Sequence, residues 1–172
     1  MRKPSNIILI GMPASGKSTV GVILAKQCCK AFLDTDVLIQ TRTGKTLQEI
    51  VDRQGYLALR ELEGQALLDL RAKNAVIATG GSAVYSEQAM RHLKTDGIAV
   101  FLDADLPTLR SRVPDFGSRG LAKRPDQSFE ELYSEREPLY RRYADVTIVC
   151  TGLTHEEVST KIIAECAKKS IP

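Results

Sequence analysis

The 172-residue sequence contains no tryptophan, and aromatic residues make up only 5% of it. Proteins that bind single-stranded nucleic acids commonly stack bases on aromatic side chains, so this scarcity argues against that class. The 24 basic residues barely outnumber the 21 acidic ones, and the net charge is only +3. A charge this small does not indicate a nucleic-acid surface. We therefore expect no nucleic-acid partner and look for a small anionic ligand instead.

Cysteine is also scarce, with four residues in the chain. Cys28 and Cys29 are adjacent, Cys150 and Cys166 lie far along the chain, and no CxxC spacing occurs. A zinc site or a disulfide framework requires a different pattern. We interpret the four as buried or unreactive thiols of a reducing compartment, which predicts a cytoplasmic protein.

Long apolar runs are missing as well. No run approaches the roughly 18 residues that a membrane-spanning helix requires. The first residues, MRKPS, lead directly into a five-residue apolar run, which is too short for the apolar core of a signal peptide. We expect neither a membrane partner nor export. The length and the 43% hydrophobic content are typical of one folded domain over residues 1–172, which we expect to be monomeric.

Five short apolar runs, separated by helical stretches, indicate the fold class. They show little alternation, which is typical of strands covered on both faces, so we predict a three-layer α/β/α fold with a five-stranded parallel sheet. The predicted strands are 6–10, 31–33, 75–78, 98–102 and 146–149. The predicted helices are 17–29, 46–53, 56–73, 86–92, 106–112, 129–144 and 155–169. Thr154 and Glu157 have the spacing of a capping box at the start of the last helix.

One long segment, 113–128, combines turn-forming residues with basic ones. It contains Pro114, Gly117, Gly120 and Pro125, together with several arginine and lysine residues. A loop of this length inside a compact domain suggests either a lid or local disorder. The basic residues favour a lid that closes over phosphate.

Residues 11–18 read GMPASGKS and match the P-loop pattern GxxxxGK[ST] between a predicted strand and a predicted helix. The glycines allow successive N–H groups to point at phosphate oxygens, and the helix N-terminus favours negative charge. Lys17 is expected to bridge the outer phosphates, and Ser18 to bind Mg²⁺ through its hydroxyl. The predicted ATP-binding residues of this loop are Gly11, Ala14, Ser15, Gly16, Lys17, Ser18 and Thr19.

Two further polar segments follow predicted strands. Asp34-Thr35-Asp36 has the spacing at which both carboxylates of a strand point the same way, one toward a metal and the other toward an acceptor hydroxyl. Residues 79–82, Thr-Gly-Gly-Ser, follow the third strand. Ligands of open parallel sheets bind beyond the carboxyl ends of the strands, which is where both segments fall. The alternatives are a helix N-cap for the first segment and a plain tight turn for the second.

These motifs together resemble the shikimate kinases, small P-loop enzymes of the nucleoside-monophosphate-kinase fold, along nearly the whole chain. The resemblance also rests on Leu59-Arg60-Glu-Leu-Glu63, on Arg119 and on Arg136-Glu-Pro138-Leu-Tyr140, which occur in the family's order. It implies transfer of the γ-phosphate of ATP to the 3-hydroxyl of shikimate, giving shikimate 3-phosphate and ADP in aromatic amino-acid synthesis. It also favours ATP over GTP and implies Mg²⁺ as the cofactor.

The resemblance assigns roles at the phosphate end of the site. It implies that Lys17 holds the β- and γ-phosphates, that Ser18 is a magnesium ligand and that Asp34 contacts the same ion through water. Arg112 resembles the residue that flanks adenine, and Arg119 the lid arginine that swings over ATP. The implied catalytic residues are Lys17, Asp36 and Arg119.

The resemblance also assigns roles at the acceptor end, with the acceptor-binding helices expected at about 34–73. Asp36 resembles the carboxylate that hydrogen-bonds the acceptor hydroxyls and takes up the reacting proton. Arg60, Arg136 and the backbone at Gly80 and Gly81 resemble the cradle of the acceptor's carboxylate and ring. Two guanidinium groups can clamp one carboxylate in a fixed orientation, which a lysine cannot do.

Two departures from the family leave alternatives open. The third glycine of the family is Ser82 here, and the family's Arg-Pro-Leu-Leu is Arg119-Gly120-Leu121-Ala122. Gly120 in place of proline predicts a looser lid. A second Arg-Pro pair at Arg124 makes either Arg119 or Arg124 the lid arginine. The alternative functions are a kinase of the same fold for another small hydroxy acid, such as a gluconate-type sugar acid, and a nucleotide-dependent regulatory module.

Overall fold

The strands form one parallel sheet, as the apolar runs predict. The computed structural model describes residues 4–112 and 120–169. Within them the sheet has five strands in the order β2-β3-β1-β4-β5, and every neighbouring pair is parallel. The strands are β1 (Asn6–Ile10), β2 (Ala31–Asp34), β3 (Ala75–Ala78), β4 (Gly97–Asp103) and β5 (Val146–Val149). The predicted α/β class and its five-stranded parallel sheet are confirmed.

The burial of the strands follows their position in the sheet. All five residues of the central strand β1 are buried, and so is β4 apart from its last residue. Strands covered by helices on both faces need continuously apolar sequences. The edge strand β5 instead alternates buried and exposed residues, with Val149 61% exposed.

Helices connect and cover the strands. In the described part of the chain they are α1 (Lys17–Gln27), α2 (Thr35–Thr43), α3 (Leu47–Gln54), α4 (Tyr56–Asp69), α5 (Glu87–Lys94), α6 (Leu106–Arg112), α7 (Phe129–Tyr143) and α8 (His155–Lys168). A short 3₁₀ helix, Ala83–Tyr85, precedes α5. The seven predicted helices are all present, and the predicted capping box of Thr154 and Glu157 begins α8. The prediction did not include α2 or the 3₁₀ helix.

Helix α2 corrects the prediction that Asp34 and Asp36, at the end of the second strand, point the same way with the spacing of a strand. Asp34 ends β2 and is the N-cap of α2, because its Oδ1 accepts hydrogen bonds from the N–H groups of Asp36 at 2.9 Å and Val37 at 3.4 Å. Aspartate is among the preferred N-cap residues, and Asp36 in the first turn suits the positive end of the helix dipole. The period-two argument therefore does not apply, and the N-cap alternative describes the segment.

The parallel arrangement brings three sequence motifs to one edge of the sheet. The P-loop follows β1, the Asp34–Asp36 segment follows β2, and residues 79–82 follow β3. Because β1, β2 and β3 are neighbours in the order β2-β3-β1, their carboxyl ends meet. Within the described residues, no helix combines the length and hydrophobicity that a membrane span requires.

The four cysteines are all free thiols. Cys150 and Cys166 are buried, and burial raises the pKa of each thiol to about 11. A thiol reacts as its thiolate, so these two are unreactive at neutral pH, in line with the interpretation from the sequence. Cys29, in contrast to these two, is exposed.

Candidate active site

A cleft of about 270 Å³ lies at the carboxyl edge of the sheet. P-loop residues line one end of it, and side chains from α2, α4 and α7 line the other. The segment that follows the undescribed residues 113–119 also contributes, through Gly120, Leu121 and Ala122. The cleft therefore joins the predicted nucleotide end to the predicted acceptor end.

The P-loop holds its lysine against its own backbone. Lys17 Nζ donates hydrogen bonds to the carbonyl oxygens of Gly11 and Met12, each at 2.8 Å, and lies 3.5 Å from Ser15 Oγ. The lysine is only 8% exposed, so its charge is concentrated inside the cleft. Gly16 has a left-handed backbone with φ 98°, which glycine adopts without steric cost. The loop thus presents a buried positive charge at the start of α1.

His155 packs onto the P-loop, a contact that the sequence did not predict. A Cβ placed on Gly16 would lie 3.2 Å from both Cδ2 and Nε2 of His155. His155 is the first residue of α8, which packs against α1, and it lines the cleft. The capping box around His155 predicts only the start of a helix, so the packing of α8 on α1 is what reveals the place of His155 at the nucleotide end.

Ser18 and Asp34 form a pair of oxygen donors beside the P-loop. Ser18 Oγ donates a hydrogen bond to Asp34 Oδ2 at 2.6 Å, while Asp34 Oδ1 caps α2. A hydroxyl and a carboxylate are hard oxygen ligands, and Mg²⁺ usually takes one or two protein oxygens together with phosphate oxygens and water. The residues present therefore fit the predicted magnesium site.

Two arginines converge at the acceptor end. Arg136 is 1% exposed, and its Nη2 donates to the carbonyl oxygen of Ala122 at 2.8 Å. Arg60 Nε donates to the same oxygen at 3.2 Å, and the Arg60 guanidinium lies 3.8 Å from the centre of the Tyr85 ring. Two guanidinium groups that reach one oxygen atom have the geometry of a carboxylate clamp.

Close packing explains the two glycines of the segment 79–82. A Cβ on Gly80 would lie 2.6 Å from Glu63 Cδ, and one on Gly81 would lie 2.8 Å from Arg136 Nη1. The Gly80 N–H donates to Thr35 Oγ1 at 2.9 Å, and Tyr140 donates its hydroxyl to the Gly81 carbonyl at 2.7 Å. The glycines therefore allow charged side chains to approach the backbone, which a plain tight turn does not require.

Glu63 is a buried carboxylate in the cleft to which the sequence analysis assigned no role. It is 4% exposed, and its Oε2 accepts hydrogen bonds from Ser82 N at 3.1 Å and Ser82 Oγ at 2.5 Å. Burial, with a smaller contribution from the nearby charge of Asp36, raises the pKa of Glu63 to about 7. The signal for this residue was the segment Leu59-Arg60-Glu-Leu-Glu63, of which only the arginine received a role.

Arg112, the predicted neighbour of adenine, and Arg124, one of the two candidate lid arginines, differ in their surroundings. Arg112 Nη1 donates to the carbonyl of Ala14 at 3.1 Å, which places it at the nucleotide end. Arg124 lies outside the cleft lining and forms an ion pair with Glu135 at 3.4 Å. Arg119 lies outside the described residues, so its role as lid arginine stays a prediction.

Gly120 is packed rather than loose where the described chain resumes. Its N–H donates to Gln48 Oε1 at 2.6 Å, and its φ of 59° is left-handed. A Cβ on Gly120 would lie 2.4 Å from the backbone nitrogen of Gln48. Proline has a fixed φ near −65° and no N–H donor, so it fits neither feature. The looser lid expected from Gly120 stays a prediction, since residues 113–119 lie outside the described part of the chain.

The structure brings most predicted site residues to one place. Those that line the cleft are Ala14, Gly16, Lys17, Ser18, Thr19, Asp36, Gly81, Arg112 and Arg136. Those that do not line it but contact a residue that does are Gly11, Ser15, Asp34, Arg60 and Gly80. Their roles toward substrate remain predictions.

Comparison with known proteins gives a consistent result. The family model for "Shikimate kinase" matches residues 13–167. A shikimate kinase from Thermodesulfovibrio yellowstonii is 37% identical over 168 residues, covering 96% of each chain. The structure of shikimate kinase from Acinetobacter baumannii in complex with shikimate superposes with a TM-score of 0.89 at 31% identity, covering 99% of this chain and 96% of that one.

A more distant likeness concerns the fold alone. A gluconokinase from Sinorhizobium meliloti superposes with a TM-score of 0.50 at 16% identity, covering 98% of this chain and 95% of that one. At this identity the likeness extends to the shared P-loop architecture and not to the acceptor. The closer matches, in contrast, run from the P-loop through α8 over nearly the full length of both chains. The chain therefore belongs to the shikimate kinase family of ATP-dependent phosphotransferases.

Proposed function

We propose that the protein transfers the γ-phosphate of ATP to the 3-hydroxyl of shikimate, giving shikimate 3-phosphate and ADP. The observation that carries this proposal is that a P-loop lysine, Asp36 and the buried Arg136 line one cleft. The relative from Acinetobacter baumannii, solved with shikimate, supports shikimate as the acceptor.

The phosphate end neutralises charge and aligns the nucleotide. Phosphoryl transfer depends on alignment and electrostatic stabilisation more than on covalent chemistry by the protein. Lys17 supplies a buried positive charge, and the N-terminus of α1 adds its dipole. Ser18 and Asp34 would hold Mg²⁺, which when bound neutralises charge on the phosphate oxygens. Arg112, which donates to the Ala14 carbonyl of the loop, flanks the adenine.

The acceptor end orients a hydroxylated carboxylate. Arg60 and Arg136 bind the carboxylate, since both guanidinium groups already reach one carbonyl oxygen. Gly80 and Gly81 leave room for Glu63 and Arg136 beside the backbone that completes the acceptor cradle. Asp36 accepts a hydrogen bond from the reacting hydroxyl and takes up its proton during transfer. Arg119 acts as the lid arginine over the phosphates.

The finer organisation of the chain is part of this proposal. Residues 34–73 supply acceptor-binding helices and residues 113–128 the lid, within a single domain over 1–172. We propose a cytoplasmic monomer, and the four free thiols support a reducing compartment. Sedimentation velocity at increasing protein concentration tests the monomer, and a concentration-dependent dimer contradicts it.

The experiment for the reaction is ADP release that requires both Mg²⁺ and ATP, with shikimate as the acceptor. Controls contain no acceptor or contain gluconate, and a third control uses Lys17→Ala. Release that saturates with shikimate and is absent from the controls supports the proposal. Release with gluconate alone would instead indicate a related hydroxy-acid kinase. Tight nucleotide binding without any transfer would indicate a regulatory module.

A further inference from the structure

Ser82 occupies the place of a glycine in the family pattern, and its side chain has a defined partner. Ser82 is 3% exposed and lies in the cleft lining at the acceptor end. Its hydroxyl donates to Glu63 Oε2 at 2.5 Å, and its backbone N–H donates to the same oxygen at 3.1 Å. A glycine at this position would retain only the backbone donor.

Glu63 is enclosed by groups that belong to the acceptor site. The Cδ atom of Glu63 lies close to Gly80, since a Cβ built on Gly80 would be only 2.6 Å from it. Asp36 of α2 faces it with a like charge, while Arg136 of α7 faces it with the opposite charge. Tyr140 of α7 is its other titratable neighbour. The orientation of the Glu63 carboxylate is therefore coupled to both predicted acceptor-binding charges.

We propose that Ser82 is a positioning residue that acts through Glu63. Its hydroxyl fixes the ionised Glu63 carboxylate opposite Arg136, and this arrangement keeps Arg136 and Asp36 oriented toward the acceptor. The inference rests on the proposed function, since its main readout is transfer to shikimate.

The physical consequence of losing the hydroxyl has a definite sign. Burial and Asp36 raise the pKa of Glu63, the hydrogen bonds from Ser82 lower it by stabilising the ionised carboxylate, and the resulting pKa is about 7. Without the hydroxyl the pKa of Glu63 rises further, so a larger fraction of Glu63 is protonated at neutral pH. A protonated Glu63 no longer offsets the positive charge of the buried Arg136 nearby, and an uncompensated buried charge is costly. Acceptor binding should therefore weaken at neutral pH and recover at higher pH.

The test compares Ser82→Ala, Ser82→Gly and Ser82→Thr with the wild type over about pH 6 to 9, a range that brackets the Glu63 titration. For Ala and Gly we expect the acid limb of kcat/KM for shikimate to move up by about one pH unit, which is roughly the loss of one hydrogen bond. The KM for shikimate should rise about fivefold at pH 7, and the KM for ATP should stay within about twofold. Thr retains a hydroxyl and should restore the wild-type profile.

A second readout does not depend on turnover. NMR titration of ¹³C-labelled glutamate, assigned with Glu63→Gln, follows the Glu63 carboxyl directly, and its pKa should be higher in Ser82→Ala than in the wild type. The matched control is Ser159→Ala, since Ser159 is fully buried, donates to Gln27 Oε1 at 2.6 Å and lies outside the cleft lining. It should lose stability without changing the pH profile.

The outcomes separate this inference from the proposed function. If the wild type releases no ADP with shikimate at any pH, the proposed function fails. If the wild type is active and Ser82→Ala keeps both the wild-type profile and the wild-type Glu63 titration, Ser82 merely replaces glycine and the inference is overturned. A lower shikimate KM in Ser82→Gly would also overturn it, because Ser82 would then obstruct the acceptor.

Discussion

At the scale of single residues, the site is built from charges that are buried and directed by backbone contacts. Lys17 is held by two P-loop carbonyl oxygens, and Arg136 reaches the Ala122 carbonyl from a fully buried position. Glycines at positions 80 and 81 provide the space for Glu63 and Arg136. A side chain held in this way is already oriented before substrate arrives, which reduces the entropy lost on binding.

Replacing Arg136 should affect the acceptor more than the nucleotide. Arg136→Ala removes one half of the carboxylate clamp, and we expect the KM for shikimate to rise on the order of 100-fold, the range for a lost charged hydrogen-bond pair. Arg136→Lys is the matched variant, because it keeps the charge but loses the planar pair of donors. Steady-state kinetics with each substrate varied in turn measures both effects. An unchanged shikimate KM would show that the acceptor cradle lies elsewhere.

The two lid arginines should differ in their effect on transfer. Arg124 pairs with Glu135 away from the cleft lining, so Arg124→Ala should change kcat by less than about twofold, as expected for an exposed pair. Arg119→Ala should lower kcat about 100-fold or more while nucleotide affinity changes less, as for loss of a transition-state contact. Turnover and nucleotide titration are measured on both variants. The reverse ranking would assign the lid role to Arg124.

At the scale of elements, side-chain caps determine where several helices start, and one backbone hydrogen bond anchors the segment that begins at Gly120. Capping boxes begin α3, α7 and α8, and Asp34 caps α2 while it also contacts Ser18. The cap of α2 thus joins the start of an acceptor-side helix to the P-loop. Gly120 anchors the next segment to α3 through Gln48.

Removing the cap of α8 should lower stability without changing catalysis. Thr154 Oγ1 accepts the N–H of Glu157 at 3.2 Å, and Thr154→Ala should lower the free energy of unfolding by about 1 kcal/mol. Thr160→Ala, on the exposed face of the same helix, is the control. Urea unfolding measures both variants, and equal values would mean that the cap contributes nothing specific.

Adding a side chain at Gly120 should lower the free energy of unfolding by more than the strain of a left-handed backbone alone. Gly152 has a φ of 76° with no atom within 4 Å of a built Cβ, so Gly152→Ala costs only the backbone term, about 1 kcal/mol. Gly120→Ala adds a collision with the backbone of Leu47 and Gln48, and we expect roughly 1 to 3 kcal/mol more. Chemical denaturation compares the two. Equal losses would show that the segment moves away from α3 at no cost.

At the scale of the whole molecule, the fold buries the Glu63 carboxylate at the acceptor end, where its ionisation lowers stability but is required by the proposed function. Glu63 is buried beside Asp36, and its pKa of about 7 shows that burial disfavours the ionised form. In the folded protein it therefore binds its proton more tightly than in the unfolded chain. The stability from this group is fully present below about pH 4.5 and is lost as the pH rises to about 7. Activity, which we attribute to ionised Glu63, changes in the opposite direction over the same range.

This opposition predicts the behaviour of Glu63→Gln. The variant lacks this titration, so it does not lose the stability that the wild type loses as the pH rises. The unfolding free energy of the variant minus that of the wild type should therefore increase by on the order of 1 to 3 kcal/mol between about pH 5 and pH 7, and should be constant above that range. Urea unfolding at pH steps across this window measures the difference. A pH-independent difference would mean that Glu63 titrates near its ordinary value in the folded protein. Shikimate-dependent turnover should be low in the variant at every pH.

The sequence determined the sheet, most helices and the phosphate end, because these depend on local patterns. Continuous apolar runs specify buried parallel strands, and the P-loop specifies Lys17 and Ser18 within eight residues. Only the tertiary structure decided what depends on contacts between distant segments. It showed Asp34 against Ser18, His155 against Gly16, and Gly120 packed on α3, and it gave Ser82 the partner Glu63 from 19 residues earlier. Burial and charge at such contacts arise when separate elements pack, and no local pattern in the sequence encodes them.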